Sequence, residues 1–144
     1  MIKIICVGKL KEQYIKDLVS DYLTRINKYH KVEILELNDS NIEKEGMLIE
    51  KHLNPKDFIV TLEIEGNNLT SQELSNHVDK WLMNYGNITF IIGGSDGISN
   101  KIKQISKYKL SFSNMTFPHG LFRGLLLEQL YRSFKILNNE SYHK

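Results

Sequence analysis

The run Gly93-Gly94-Ser95-Asp96-Gly97 is the densest concentration of glycine in the chain, and it follows the apolar stretch Ile88–Ile92. Glycines remove side chains where a ligand must approach the backbone, and they reach dihedral angles other residues avoid. The spacing is neither the dinucleotide G-x-G-x-x-G nor a phosphate-binding loop ending in G-K-[ST]. A plain strand-to-helix turn would use the same residues. No H-E-x-x-H motif and no Cys/His cluster point to a bound metal, so none is expected. No G-x-S-x-G marks a nucleophile elbow. The carboxylates are scattered rather than paired in loops. His30, His52 and His77 lie in or beside amphipathic segments and read as ordinary surface or boundary residues. His119, beside Pro118, and His143, within Tyr142-His143-Lys144, stand apart from them. The single cysteine, Cys6, sits in the apolar run Ile4-Ile5-Cys6-Val7 and reads as a small buried hydrophobe.

The elements that must position these residues are legible in the hydrophobic pattern. Residues 2–7 read as a buried strand ending at Gly8. Residues 12–27 carry Ile15, Leu18, Val19, Tyr22 and Ile26 on one helical face. A strand over 31–37 and a short helix over 42–53 follow, the helix stopped by Asn54-Pro55. Residues 58–64 form a third strand, broken by Gly66-Asn67-Asn68. Thr70 and Glu73 have the spacing of a capping box, opening a helix through Leu74, Val78, Trp81 and Leu82. Residues 88–92 are a fourth strand, 100–106 a weaker helix, 108–112 a fifth strand, and a last helix runs from Pro118 to Leu137. This β-α alternation predicts one α/β domain over residues 1–144, a mostly parallel sheet with helices on both faces. Ligands in such sheets bind at the carboxyl ends of the strands. The loops there are Leu62-Glu63-Ile64-Glu65-Gly66, the glycine run, and Phe112-Ser113-Asn114-Met115-Thr116-Phe117-Pro118-His119.

Charge adds a partner. Residues 98–144 hold eight Lys and Arg against two acids, net +6, whereas residues 1–97 are net −4. A basic end on an otherwise acidic chain suggests a polyanion. No apolar run has the length of a membrane span, and residues 1–7 lack the pattern of a signal peptide, so a cytoplasmic protein is expected.

Taken in order, several blocks resemble the family of large-subunit (23S) rRNA pseudouridine N3-methyltransferases of the SPOUT superfamily. They are Val7-Gly8-Lys9, Thr61-Leu62-Glu63-Ile64-Glu65-Gly66, Ile91-Ile92 with the glycine run, and Leu110 through His119. Arg123, Glu128-Gln129-Leu130-Tyr131-Arg132, Lys135-Ile136 and Tyr142-His143-Lys144 complete the match over nearly the whole chain. The resemblance implies a C-terminal trefoil knot, S-adenosylmethionine as cofactor, ribosomal RNA on the ribosome as substrate, and a homodimer. It implies a cofactor site at Leu62, Gly93, Phe112, Ser113, Asn114, Met115, Thr116 and Phe117. Methyl transfer to N3 of a pseudouridine would then fall to His143 as base or substrate-orienting group, with Tyr142 beside it. Arg132 and Arg123 would hold phosphate or the developing uracil oxyanion, with Glu128 fixing Arg132 four residues on. Glycines 120 and 124 permit close helix packing across a dimer interface or simply loosen the site, and Leu121, Phe122, Leu125, Leu126 and Leu127 offer surplus apolar surface for a partner. The segment 38–46 is shorter than the family pattern, and its helix is expected far from the cofactor loops. A non-catalytic RNA-binding or ribosome-assembly module retaining the fold is the rival reading. A nucleotide-binding regulator is remote, for want of a phosphate-binding loop.

Overall fold

The computed structural model describes all residues from Met1 to Lys144. The order is β1 (Ile2–Val7), α1 (Gln13–Ile26), β2 (Val32–Leu37), α2 (Ile42–Lys51), β3 (Phe58–Asn68), α3 (Ser71–Tyr85), β4 (Ile88–Ile92), α4 (Asn100–Ile105), β5 (Tyr108–Ser111) and α5 (His119–Leu137). The five strands form one sheet in the order β2-β1-β4-β3-β5, and every neighbouring pair is parallel. The alternation read from the sequence is therefore the alternation of the fold.

Strand side chains alternate between faces, and the two faces bury separate cores. Ile2, Ile4 and Cys6 of β1 pack with Phe90 of β4 against α1, α3 and α5. Ile5 and Val7 turn the other way and pack with Ile91 against Ile49 of α2 and Ile102 of α4. Cys6 is fully buried, and burial pushes its thiol up to about 12. Thr70 caps α3 as its spacing predicts, with both arms of the capping box formed.

Three local expectations change. Gly66-Asn67-Asn68 does not end β3. Leu110 of β5 is in register with both Leu62 and Asn67, so residues 63–66 bulge out before the strand resumes. Gly66 is required at this point, because a Cβ there would lie 2.7 Å from the Lys109 carbonyl oxygen. Gly120 and Gly124 serve packing inside the chain. A Cβ on Gly124 would meet Leu18 of α1 at 2.5 Å, and one on Gly120 would meet Leu10 at 3.0 Å. Their absence lets α5 lie close on α1. Leu126 and Leu127 are not surplus either, since both are completely buried in the core. Burial of each contributes on the order of 2 kcal/mol. Leu121, Phe122 and Leu125 remain half-buried. No helix is long and apolar enough to cross a membrane.

Candidate active site

The bulge of β3 and the loops following β4 and β5 converge on a cavity of about 340 Å³ at the carboxyl edge of the sheet. The volume lies within the range of small-molecule sites. Of the eight residues expected at a cofactor, Leu62, Gly93, Phe112, Ser113, Met115, Thr116 and Phe117 line it. Asn114 is exposed and stands outside the lining.

The glycine run is shaped by main-chain contacts. Gly97 N–H donates to the Gly94 carbonyl at 3.0 Å, and Gly97 has φ +87°, in the region glycine favours. A Cβ at Gly93 would lie 2.6 Å from the Gly97 carbonyl oxygen, so no larger residue fits the turn unchanged. Gly94 is closed in from behind. A Cβ there would meet the Glu45 carboxylate oxygens at 3.0 and 3.2 Å. Glu45 lies in the opening turns of α2, is 5% exposed, and accepts a hydrogen bond from Ser40 N–H at 2.8 Å. Its neighbour Gly46 sits under Ser99, whose Oγ would be 2.5 Å from an added Cβ. The expectation that α2 lies far from the cofactor loops is thus corrected: its start packs against Gly94 and against Ser99, two residues beyond the glycine run.

The cavity lining is both apolar and polar. Phe122 of α5 stands against Phe112 at a centroid distance of 5.0 Å and stacks on Phe117 at 6.3 Å. Behind the lining residue Glu63, Thr61 Oγ1 donates to its carboxylate at 2.6 Å and contacts Ser106 Oγ at 2.8 Å. Lys103 of α4 reaches Glu63 at 3.8 Å. Glu63, Lys103, Phe122 and Glu45 were missed as site residues. For Glu63 the signal was present, since it lies in one of the three loops. Lys103, Phe122 and Glu45 come from helices whose approach no local pattern specifies. His119, singled out in the sequence without a role, lines the same cavity.

Four of the five residues expected to act on the substrate gather elsewhere. Glu128 Oε1 accepts from Arg132 Nη2 at 2.6 Å and Nε at 3.1 Å, and from the Tyr142 hydroxyl at 3.1 Å. Tyr142 also contacts Tyr22 Oη at 3.3 Å. The Arg132 guanidinium lies over the Tyr142 ring at 4.7 Å, and its Nη1 is 3.2 Å from His143 Nδ1. A guanidinium only donates, so Nδ1 accepts and neutral His143 carries its proton on Nε2. Burial, then hydrogen bonds with Tyr22 and Glu128, raise the Tyr142 phenol above its ordinary value. It is therefore a neutral donor at physiological pH. The hydrogen bond with Glu128 raises Arg132, keeping it a fixed cation. None of these four residues lines the cavity of its own chain. Arg123 belongs to neither group. It is 2% exposed; Nη1 pairs with Glu36, Nη2 donates to the Gly8 carbonyl at 3.2 Å, and Nε has no partner.

A glycine-led cavity across three strand ends of a parallel sheet is the place where open α/β proteins bind ligands. The comparisons with known proteins specify which. The model of a family described as "Predicted SPOUT methyltransferase" matches residues 1–143, and the chain belongs to that family. It is a methyltransferase, and the α/β fold with its knot follows from membership. A putative ribosomal RNA large subunit methyltransferase H from Methanococcus maripaludis is 47% identical over 157 positions, covering 99% of both chains. A ribosomal RNA large subunit methyltransferase H from Clostridium tetani is 46% identical with the same coverage. These alignments span 157 positions against a chain of 144 residues, so the relatives carry residues that this chain lacks. Among solved structures, the tRNA (m1G37) methyltransferase from Aquifex aeolicus is similar in fold. Its TM-score is 0.55 at 18% identity, over 91% of this chain and 69% of that one. A probable methyltransferase from Bordetella pertussis Tohama I gives 0.58 at 10% identity, over 92% and 95%.

Proposed function

We propose that the protein methylates N3 of a pseudouridine in the large-subunit ribosomal RNA, with S-adenosylmethionine as methyl donor. The observation carrying this reading is the convergence of the three strand-end loops on one cavity, in a chain whose relatives are named for methylating that RNA. The cavity fits the cofactor. Phenylalanines 112, 117 and 122 offer apolar walls for an adenine ring. The glycine run and residues 112–117 offer main-chain partners, and Glu63 with Lys103 offers charges to polar substituents. When bound, the cofactor supplies an electrophilic sulfonium methyl group.

The chain's own contribution is alignment and electrostatics. Leu62, Gly93 and residues 112–117 hold the donor so that the acceptor nitrogen approaches in line, which supplies much of the rate. The N3–C bond forms as the S–CH3 bond breaks, and the N3 proton passes to solvent. Charge develops on the uracil oxygens as that proton leaves. Arg132, held by Glu128, and His143 through Nε2–H are the donors suited to it, and Arg123 is a further cation on the same helix. This reading makes His143 an orienting donor rather than the base, because Arg132 already occupies Nδ1.

The separation of the tail cluster from the cavity of the same chain supports a homodimer in which one protomer's tail serves its partner's cofactor. The half-buried Leu121, Phe122 and Leu125 suit such an interface. The net +6 of residues 98–144 suits an RNA partner, and the function would place the protein in the cytoplasm. Mapping modified nucleotides in ribosomal RNA with and without the protein tests the reading. One N3-methylpseudouridine is expected to appear with the protein, and an unchanged map would refute the function.

A further inference from the structure

His119 is the first residue of α5. It lines the cofactor cavity and is exposed, so its imidazole stands at the opening through which an RNA acceptor must come. His143 Nδ1 is occupied by Arg132, whereas the ring of His119 makes no hydrogen bond within the chain.

The position is built by its neighbours. The Pro118 carbonyl accepts from Phe122 N–H at 2.9 Å and closes the first turn around His119. Phe122, three residues on, shares the His119 face of the helix and lines the same cavity. Gly120 lets this end of α5 press on the start of α1, since a Cβ there would meet Leu10 at 3.0 Å and Ile15 at 3.3 Å. The imidazole is therefore set beside the phenylalanine rim by packing, and its ring nitrogens are left for a ligand.

The charged groups around it are of both signs. Glu63, Glu65, Asp96 and Lys103 line the cavity with it. In the adjoining polar recess, Lys9 and Lys11 stand against Glu12 and Asp39, and Arg123 against Glu36. None of the cavity groups suits the proton of an imide nitrogen. Lys103 is a cation, and Glu63 already accepts from Thr61 and pairs with Lys103. Glu65 and Asp96 are exposed carboxylates, much weaker bases than imidazole. General-base catalysis is most effective when the base titrates near the operating pH, and histidine is the side chain of that kind.

We infer that His119 is the general base of the methyl transfer. The inference rests on the proposed function and adds the route by which the proton reaches solvent. A neutral imidazole nitrogen takes the N3 proton as N3 forms its bond to the methyl carbon, and the S–CH3 electron pair returns to sulfur. The imidazolium, at the exposed start of α5, then gives the proton to water. His143 keeps its orienting role, so the two histidines divide the work: one donates to the ring oxygens and the other accepts from the ring nitrogen.

Single-turnover methylation of methyl-free ribosomes by the full-length protein, followed from about pH 6 to 9, tests this. Cofactor affinity and thermal midpoint are measured in parallel. The wild-type rate is expected to rise with histidine deprotonation and then level. His119→Gln keeps a polar side chain but accepts no proton. It is expected to be at least about a hundredfold slower at neutral pH, with cofactor affinity and midpoint unchanged. Its rate is expected to keep climbing toward the wild-type value at the alkaline end, where the imide loses its proton unaided. His119→Asn is expected to give the same profile, and His143→Ala a lowered profile of wild-type shape. A His119→Gln profile of wild-type shape, whatever its height, overturns His119 as the base. So does a loss of cofactor affinity that accounts for the loss of rate. Wild-type protein that leaves the ribosomes unmethylated at pseudouridine overturns the proposed function itself; a methylating wild type with an insensitive His119→Gln overturns this inference alone.

Discussion

The cavity at the strand ends and the cluster on α5 are built from different materials. The cavity takes its form from main chain: Gly93, too crowded for any Cβ, Gly94 tight against Glu45, Gly97 at positive φ, and a bulge in β3 that Gly66 permits. The cluster takes its form from side chains, with Glu128 at the centre of three hydrogen bonds from Arg132 and Tyr142. A site made of backbone tolerates little substitution and is rigid because the sheet is rigid. A site made of charged side chains on a helix and a chain terminus is easily altered without unfolding the protein. The first suits a cofactor that every turnover must bind in the same pose, and the second a macromolecule that arrives and leaves.

The largest expected effect breaks the cavity alone. Gly93→Val puts branched carbons where Gly97 O already lies 2.6 Å from a Cβ, so cofactor binding should be lost by calorimetry while circular dichroism still reports a folded chain. Retained affinity would remove this loop from the site. Next comes the cluster alone. His143→Ala should lower turnover on methyl-free ribosomes by at least about tenfold with cofactor affinity unchanged, within the range a positioning or acid–base group contributes. Wild-type turnover would return the search to Arg123, Glu128 and Arg132. The two variants together sharpen the comparison. If the tail of one protomer serves the cavity of the other, mixing Gly93→Val with His143→Ala subunits should restore activity, because each mixed dimer holds one intact pair. No recovery on mixing, with subunit exchange confirmed by light scattering and mass spectrometry, would place both regions in one chain.

Smaller effects lie outside both regions. Thr70→Ala removes one arm of the α3 capping box and should cost about 1 kcal/mol in chemical denaturation without moving cofactor affinity. A change in affinity would couple α3 to the cavity. His30, in the connection between α1 and β2, stacks on Phe134 at 5.7 Å and leaves Nε2 buried without a partner. Burial, then the nearby N-terminal ammonium, holds its pKa below the usual 6.5. The neutral form is therefore favoured in the fold. Its contribution is complete above pH 6.5 and is lost as pH falls through the lowered value. The thermal midpoint should decline slightly from pH 7 to 5.5, and His30→Phe should flatten that decline; an equal slope in the variant would assign it to another group.

The elements were readable because each carried its own period. Ile2, Ile4 and Cys6 against Ile5 and Val7 announce a strand buried on both faces, and Thr70 with Glu73 announces the start of α3. The three loops were readable because parallel α/β sheets put ligands at one edge. What was not readable depends on how elements approach each other. Nothing near Gly66 says that the strand resumes beyond it, since the re-pairing depends on Lys109 and Leu110 of β5. Gly120 and Gly124 look like helix defects until Leu10 and Leu18 are seen against them. The spacing of Glu128 and Arg132 predicts their pairing, but the addition of Tyr22 from α1 and Tyr142 from the tail rests on tertiary contacts.

Glu45 and Gly46 give α2 a fixed phase. One helical step turns a side chain by about 100°, so starting the helix one residue earlier or later would swing Glu45 away from Gly94 and put a side chain under Ser99. Asn41 sets the start by accepting from Lys44 N–H at 2.9 Å. Length changes in the preceding connection are harmless only if the slack is taken up before Asn41. A graft between Asn38 and Asp39, which leaves the Ser40 N–H on Glu45, should preserve cofactor affinity, while the same graft after Asn41 should not.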